Sequence, residues 1–157
     1  MTSRRPMTLH GKAQLEKELK HLIEVKRPEV IRAIEEARGH GDLSENADYD
    51  AAKEQQALTE ARIAEISDKI ANAEVVDPSK LKSDKIIFGA HVSLEDDNGN
   101  KSTYQIVGED ESDISQKKIS INSPLARNLI GKRKDESFEF RSPKGEQFYT
   151  ILDFHFK

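Results

Sequence analysis

The chain has 157 residues, of which 34% are charged and 35% hydrophobic, a composition that favours one or two small domains with long exposed helices over a single thick core. Its net charge of −4 gives no global basic surface for wrapping nucleic acid, and the absence of cysteine excludes disulfides and thiolate chemistry. The sequence has no signal peptide and no apolar run long enough to span a bilayer, so we expect a cytoplasmic protein without membrane contact.

The first half of the chain, residues 8–78, has the periodicity of a helical hairpin. Residues 1–7 are expected to be a tail, and Met7 would serve equally well as the start. Thr8 is the expected N-cap of the first helix. The apolar stripe of this helix shifts by one position near Pro28, where we expect a bend. The stripe consists of Leu15, Leu19, Leu22, Ile23, Val30, Ile34 and Ala37.

The second helix of the hairpin carries a heptad seam. Its positions alternate at spacings of three and four. They are Tyr49, Ala52, Gln56, Thr59, Ile63, Ile66, Ile70 and Ala73. Such a narrow stripe needs a partner, so the two helices are expected to form an antiparallel coiled-coil hairpin. The packing weakens toward Gly39-His40-Gly41, which we expect to be the tip of a long, thin rod.

The segment His40–Asp50 reads HGDLSENADYD, with four carboxylates and no Lys or Arg. Asp42 and Glu45 have the spacing of a capping box for the second helix. Asp48 and Asp50 extend the charge beyond that turn, where support from the helix dipole falls off, and this excess indicates a use. Carboxylate oxygens bind hard cations, so Asp42 and Glu45 could offer Mg²⁺ a weak, shared site.

Other residues carry less specific signals. Arg38 and Lys53 flank the tip and could contact phosphate or merely balance the acids, whereas Tyr49 fits packing better than recognition. The acidic group at residues 109–113 is expected to be a solvated loop, and the basic run Lys132-Arg133-Lys134 a solvated face. The sequence has no signature of a serine nucleophile, a Gly-rich phosphate loop or a Cys/His metal site.

The second half of the chain has the period of two that is typical of strands. Residues 79–85 are the expected linker, and residues 86–157 a globular α+β module with a small antiparallel sheet and one helix. Asn98-Gly99 is a strong hairpin-turn signal. The predicted elements are strands around Val92–Leu94, Tyr104–Ile106, Lys118–Ile121, Ser137–Phe140 and Gln147–Phe154, and a helix Pro124–Leu129 with Ser123 as N-cap.

One long motif resembles a known family. Residues 41–49, Gly-Asp-Leu-Ser-Glu-Asn-Ala-Asp-Tyr, resemble the signature of the bacterial Gre transcript-cleavage factors. The continuation at residues 51–56, Ala-Ala-Lys-Glu-Gln-Gln, is similar to the GreA branch of that family. The resemblance runs from about Met7 to Phe156 and includes Arg27-Pro28-Glu29, Ala73–Pro78, Tyr104–Gly108 and Ile119–Arg127.

Two positions depart from the pattern that this resemblance implies. Lys12 stands where relatives usually have an aromatic residue, which puts the packing at the start of the first helix in question. Asp135-Glu136 stands where a Gly-Asp pair is common, so the geometry of that turn is also in question. Neither departure lies near the acidic tip in the sequence.

The resemblance implies a coiled-coil hairpin followed by an FKBP-like globular domain. It further implies a monomeric, non-enzymatic factor whose hairpin enters the secondary channel of bacterial RNA polymerase while the globular domain docks at its entrance. Asp42 and Glu45 would be the catalytic acids, sharing a Mg²⁺ ion with the polymerase while it cuts backtracked RNA near the 3′ end. The candidates for RNA proximity are Arg38, Tyr49 and Lys53, and those for polymerase docking are Ser123, Pro124 and Arg127.

Three other functions stay open at this point. An inhibitor could enter the same channel without supporting cleavage, although Asp42 and Glu45 favour the cleavage factor. A peptidyl-prolyl isomerase would need an aromatic-lined pocket, and the second half has few aromatic residues; fold alone does not carry function. The hairpin could also be a plain spacer or a dimeric coiled coil.

Overall fold

The computed structural model describes residues 4–39 and 46–157. It divides into a helical unit, Lys12–Asn72, and a sheet unit that joins the residues up to Gly11 to Ala73–Lys157. The predicted α+β class is confirmed, with the long helices in the first half of the chain and most of the strands in the second.

The first helical run consists of α1 (Leu9–His21), a π-helical turn (Leu22–Lys26) and α2 (Arg27–Arg38). The π-helical turn ends just before Pro28. Because proline has no N–H and its ring clashes with the carbonyl four residues earlier, a wider turn accommodates it without ending the helix. The wider turn also absorbs one extra residue, which explains the shift in the apolar stripe. Most of the stripe is buried or half-buried, but Ile23 is exposed, and its predicted place in the stripe is wrong.

The second helix, α3 (Ala47–Ala71), buries the predicted seam. Its buried residues are Ala52, Thr59, Ile63 and Ile66, and Tyr49, Gln56 and Ile70 are half-buried. The Thr59 hydroxyl donates to the Gln55 carbonyl oxygen at 2.7 Å, which satisfies it inside the apolar seam. The seam ends with the helix, because Ala73 lies in a strand.

Ion pairs fix the antiparallel register of the helical unit. Arg27 donates two hydrogen bonds to the Glu60 carboxylate, at 2.9 and 2.7 Å, and Arg62 donates two to Glu18, at 2.9 and 3.0 Å. The bonds from Arg27 lower the pKa of Glu60, and the bonds that Arg62 donates to Glu18 raise the pKa of Arg62. Since exposed pairs contribute only about 0.2–1 kcal/mol each, they specify the alignment more than they stabilise the fold.

The sheet unit begins with a parallel pair of strands that sequence reasoning missed. Strand β1 (Arg5–Thr8) pairs with β2 (Ala73–Val76), with Arg5 beside Ala73 and Thr8 beside Val76. The described end of the expected tail is therefore a strand, and the helical hairpin stops short of residue 78. Met7 is 0% exposed and Thr8 2%, so burial of these side chains stabilises this segment as a strand.

The main sheet has five strands in the order β5-β4-β3-β7-β6. They are β3 (His91–Asp96), β4 (Lys101–Val107), β5 (Lys118–Ser120), β6 (Ser137–Ser142) and β7 (Gly145–His155). All neighbouring pairs are antiparallel except β4 and β5, which are parallel. The prediction of an antiparallel sheet is wrong for that pair, because two 3₁₀ turns between β4 and β5 carry the chain back alongside β4.

The turn and the short helix of this unit match their predictions. The Asp96 carboxylate accepts from the backbone N–H groups of Asn98 and Asn100, both at 2.9 Å, and Gly99 has a φ of +83°. Helix α4 (Pro124–Leu129) is capped by the Ser123 hydroxyl. Its residues Ala126 and Leu129 join the core. The other core residues are Ile86, Ala90, Val92, Leu94, Ile106, Ile119, Phe138 and Ile151.

The acidic stretch at residues 109–113 holds β1 in place. The Glu111 carboxylate accepts from the Thr8 backbone N–H at 2.6 Å, from the Thr8 hydroxyl, and from the Gly108 N–H at 3.3 Å. Asp110 pairs with Arg5 at 3.3 Å. The expectation of a solvated loop is therefore wrong for Asp110 and Glu111, because their partners lie about a hundred residues away in the sequence.

Glu111 completes the cap of α1 from a distant part of the chain. Thr8 is the predicted N-cap, and its hydroxyl accepts from the Gly11 N–H at 3.1 Å. In a capping box the third helical residue is a Glu or Gln that accepts from the N-cap N–H, but here that residue is Gly11. A Cβ on Gly11 would lie 2.5 Å from Glu111 Oε1. Glycine at this position leaves room for the Glu111 carboxylate, which takes the place of the Glu or Gln side chain of an ordinary capping box.

Asp135, at the second departure from the family pattern, adopts a backbone conformation that favours glycine. Its φ is +70°, the left-handed region in which glycine is unstrained and Asp is tolerated better than most residues. The Asp135 N–H donates to the Ile151 carbonyl oxygen at 2.8 Å, and the Glu136 carboxylate accepts from the Arg133 N–H at 3.0 Å. At the other departure, Lys12 forms an ion pair with Glu16 at 3.6 Å.

Replacing Glu111 tests the distant cap. Glu111→Ala should lower the free energy of unfolding by about 1.5–3 kcal/mol, since hydrogen bonds to a charged group are lost and a buried N–H is left without an acceptor. The measurement is urea denaturation of the full chain. Glu109→Ala, an exposed acid of the same 3₁₀ turn, is the matched control and should change stability by less than about 0.5 kcal/mol. Equal losses in both variants would contradict the assignment.

Candidate functional site

The structure describes both helix ends from which the acidic segment runs. Helix α2 ends at Arg38, and the Gly39 N–H donates to the carbonyl oxygens of Glu35 and Glu36 at 3.3 and 3.1 Å. Helix α3 begins at Ala47. The intervening residues 40–45, which include the predicted site residues Asp42 and Glu45, lie outside the described residues.

Asn46 joins the two helix ends. Its side-chain oxygen accepts from the Tyr49 backbone N–H at 3.0 Å and so caps α3. Its side-chain nitrogen donates to the Ala37 carbonyl oxygen at 2.6 Å, in the last turn of α2. One amide thus satisfies an orphan donor of one helix and an orphan acceptor of the other. Sequence reasoning missed this residue because it assigned the cap to Asp42.

Because the cap lies at Asn46, the acids that follow it belong to the first turn of α3. Asp48 and Asp50 were expected beyond the first helical turn, but they lie in the first turn of α3, where the helix dipole favours negative charge. The predicted capping box of Asp42 and Glu45 is wrong for α3, because Asn46 holds the cap. Asp48 and Asp50 therefore have a structural role in the first turn of α3, and that helix is capped by Asn46.

The apolar packing reaches close to this end. Val30, Ile34 and Ala52 form a buried cluster, and the half-buried ring of Tyr49 packs against it. The interpretation of Tyr49 as a packing residue is confirmed. This cluster supports the first turn of α3 directly beside its cap.

Basic side chains flank the same end. Arg38 is exposed in the last turn of α2, where a cation is favoured by the helix dipole. Lys53 is exposed on α3, and its Nζ donates to Gln56 Oε1 at 3.0 Å. The structure leaves both groups accessible to a negatively charged partner.

The docking candidates lie on α4 of the sheet unit. Ser123 is half-buried, and its hydroxyl caps the helix. Pro124 and Arg127 are exposed. The nearby Lys132 is not simply solvated, as was expected: its Nζ donates to the Asn128 carbonyl oxygen and lies 5.3 Å from the centre of the Phe138 ring. Lys132 therefore closes the end of α4.

The part of the chain that the structure describes contains no group of three or more His, Cys, Asp and Glu side chains placed to hold a metal ion. Among the same residues, no helix is both long enough and apolar enough to cross a membrane. Asp42 and Glu45, the carboxylates predicted to bind Mg²⁺, lie outside the described residues.

Two family models match nearly the whole chain. The model described as "Transcription elongation factor, N-terminal" matches residues 5–75, and "Transcription elongation factor, GreA/GreB, C-term" matches residues 81–156. The chain belongs to the GreA/GreB transcription elongation factor family. Its predicted membership is confirmed, and the match runs through both units and the acidic motif.

Relatives place the chain in the GreA branch. It is 52% identical to "Transcription elongation factor GreA" of Syntrophotalea carbinolica, with 94% of each chain covered. It is 52% identical to the protein of the same name in Hyphomonas neptunium, over 97% of this chain and 98% of that one. The GreA factor homolog Gfh1 of Thermus thermophilus is 25% identical with a TM-score of 0.45, over 97% of this chain and 99% of that one. The assignment to the branch stands on the sequence relatives.

Substitutions at Asn46 separate its two bonds. Asn46→Ala should lower the free energy of unfolding of the full chain by about 1–2 kcal/mol, because the cap of α3 and the donor to Ala37 are both lost. Asn46→Ser keeps a capping hydroxyl and should lose less, which chemical denaturation would measure. If the alanine variant were as stable as the parent, the bridge would have no structural role.

Proposed function

We propose that this protein inserts its hairpin into the secondary channel of RNA polymerase and stimulates the polymerase's own cleavage of backtracked RNA. The family assignment supports a role in transcript elongation. The observation that carries the finer proposal is the cap at Asn46, because α3 is capped without Asp42 or Glu45. We expect the carboxylates of residues 42 and 45 to serve chemistry instead.

The helix ends beside the acidic segment are held in place, as residues that position a catalytic group must be. A catalytic group must be held close to its productive position, and rigid elements hold it better than loops do. Asn46 links the ends of α2 and α3, and the cluster of Val30, Ile34 and Ala52 packs beside it. Gly39 and Asn46, the residues on either side of positions 40–45 in the sequence, are therefore both held by hydrogen bonds.

The donor set fits magnesium by its chemistry. Mg²⁺ prefers oxygen ligands and is commonly held through one or two carboxylates together with groups from another molecule. Asp42 and Glu45 would each offer carboxylate oxygens, and a Mg²⁺ ion shared with the polymerase would activate the attacking water and stabilise the leaving oxygen. Without the polymerase the ligand set is incomplete, so we expect weak binding by the free protein.

The flanking cations would guide the RNA. Arg38 and Lys53 are exposed, one before and one after the acidic segment in the sequence, and each would approach a phosphate of the RNA 3′ end. Tyr49 is committed to packing and would act through the position of α3. The globular part would dock at the channel entrance through the exposed side chains of Pro124 and Arg127 on α4, with Ser123 fixing the start of that helix.

Cleavage of RNA in stalled, backtracked complexes tests the proposal. Asp42→Asn and Glu45→Gln should each slow cleavage at saturating factor by at least about tenfold, since loss of one group around a metal has effects of that size. Asp50→Asn is the matched control, because Asp50 lies in the first turn of α3 and should serve only the helix dipole. It should cleave within about twofold of the parent.

Binding is measured beside cleavage, by competition for polymerase with a labelled parent protein. We expect the Asp42 and Glu45 variants to bind normally while failing to cleave, since the docking residues are unchanged. Parental cleavage by both variants would overturn the assigned role. Tight binding by the unmodified protein with no cleavage would instead identify a channel-binding inhibitor.

A further inference from the structure

Two histidines face each other on the main sheet. His91 on β3 is directly opposite His155 on β7 in an antiparallel pairing. Their ring centroids are 5.1 Å apart and their planes differ by 5°. The neighbouring pair Val92 and Phe154 turns toward the core, so the period of two places both imidazoles on the other face of the sheet. His91 is half-buried and His155 exposed, so the pair is open to solvent from one side.

The surroundings of His91 favour its neutral form. Burial lowers the pKa of His91, and the positive charges of His155, Lys157 and Lys118 lower it further. On the other side of His91, its partner on β4 is Gln105, whose side chain donates to the Gly89 carbonyl oxygen at 3.4 Å. The deprotonated ring is the form that binds metals.

We propose that His91 and His155 form a two-ligand site for a divalent transition ion, with Zn²⁺ as the reference ion. Imidazole nitrogens suit Zn²⁺ and Cu²⁺, whereas Mg²⁺ prefers oxygen, so this site differs in ligand chemistry from the acids of residues 42 and 45. Directly opposed residues of an antiparallel pair have their Cβ atoms only about 4.5–5.5 Å apart. Rotation about the Cβ–Cγ bonds can then turn one nitrogen of each ring toward a common point about 2.0–2.1 Å from both.

The site is expected to be weak, with water in the remaining positions. No third His, Asp or Glu joins the two rings among residues 4–39 and 46–157. Asp153 is the nearest acid along β7, but its Oδ1 accepts from the Phe154 N–H at 2.9 Å. Two protein ligands are fewer than a structural zinc site uses, so the ion would bind reversibly and affect the stability of the sheet only while bound.

Isothermal titration calorimetry tests the site. The full chain is titrated with ZnCl₂ in a non-coordinating buffer. His91→Ala and His155→Ala should each weaken zinc binding by at least about tenfold, because the second ligand of a chelate acts at a high effective concentration once the first is bound. His21→Ala, on the helical unit, is the matched control and should bind as the parent does. Thermal unfolding without zinc verifies that each variant is folded.

Two further measurements make the result decisive. The double variant Asp42→Asn, Glu45→Gln should retain the zinc isotherm, which separates this site from the proposed function at the hairpin end. Cu²⁺ bound to the parent should show electron paramagnetic resonance couplings to two imidazole nitrogens. His155→Asn is a second, polar variant of the exposed ligand, and Cu²⁺ bound to it should lose the coupling to the His155 nitrogen. Parental zinc binding in either alanine variant, or coupling to a single nitrogen, would overturn the proposal.

Discussion

The amide of Asn46 is the contact on which the account of this protein depends. It caps α3 through its oxygen and binds the last turn of α2 through its nitrogen, so two helices that meet only through side chains are joined where the acidic segment leaves them. An acid at that position could cap α3 but could not donate to the Ala37 carbonyl. Asparagine can do both, so α3 is capped without a carboxylate from residue 42.

The start of α1 is also capped by a polar side chain, in this case that of Glu111. Glu111 caps α1 through the backbone N–H of Thr8, and the cap crosses from the main-sheet connection to the strand that precedes the helix. In both places one polar side chain satisfies groups that a helix end would leave unpaired, and it joins segments distant in the sequence or belonging to different helices. Within the helical unit, α2 and α3 are held together by a narrow apolar seam and, next to the acidic segment, by the amide of Asn46.

The repeating features of this chain could be predicted from its sequence, and the single contacts could not. The seam from Tyr49 to Ile70, the turn at Asn98-Gly99 and helix α4 follow from local periods and turn chemistry, and the structure confirms them. Strands β1 and β2 are too short to show a period, and their pairing depends on burial against a distant segment. The cap was misplaced because Asp42 and Asn46 both satisfy local rules, and only the carbonyl of Ala37 distinguishes them. The family resemblance supplied the proposed function, which no pattern of spacing contained.

The most direct test of the central claim is the location of residue 42 in the complex with polymerase. Because the chain has no cysteine, Asp42→Cys gives a unique attachment point for a short photocrosslinker. Glu29→Cys, at an exposed position in the first turn of α2, is the matched control. The account predicts crosslinks from position 42 to the catalytic subunit at the polymerase active centre, and crosslinks from position 29 to sites away from it. Crosslinks from position 42 that fall only on the outer surface of the polymerase would contradict it.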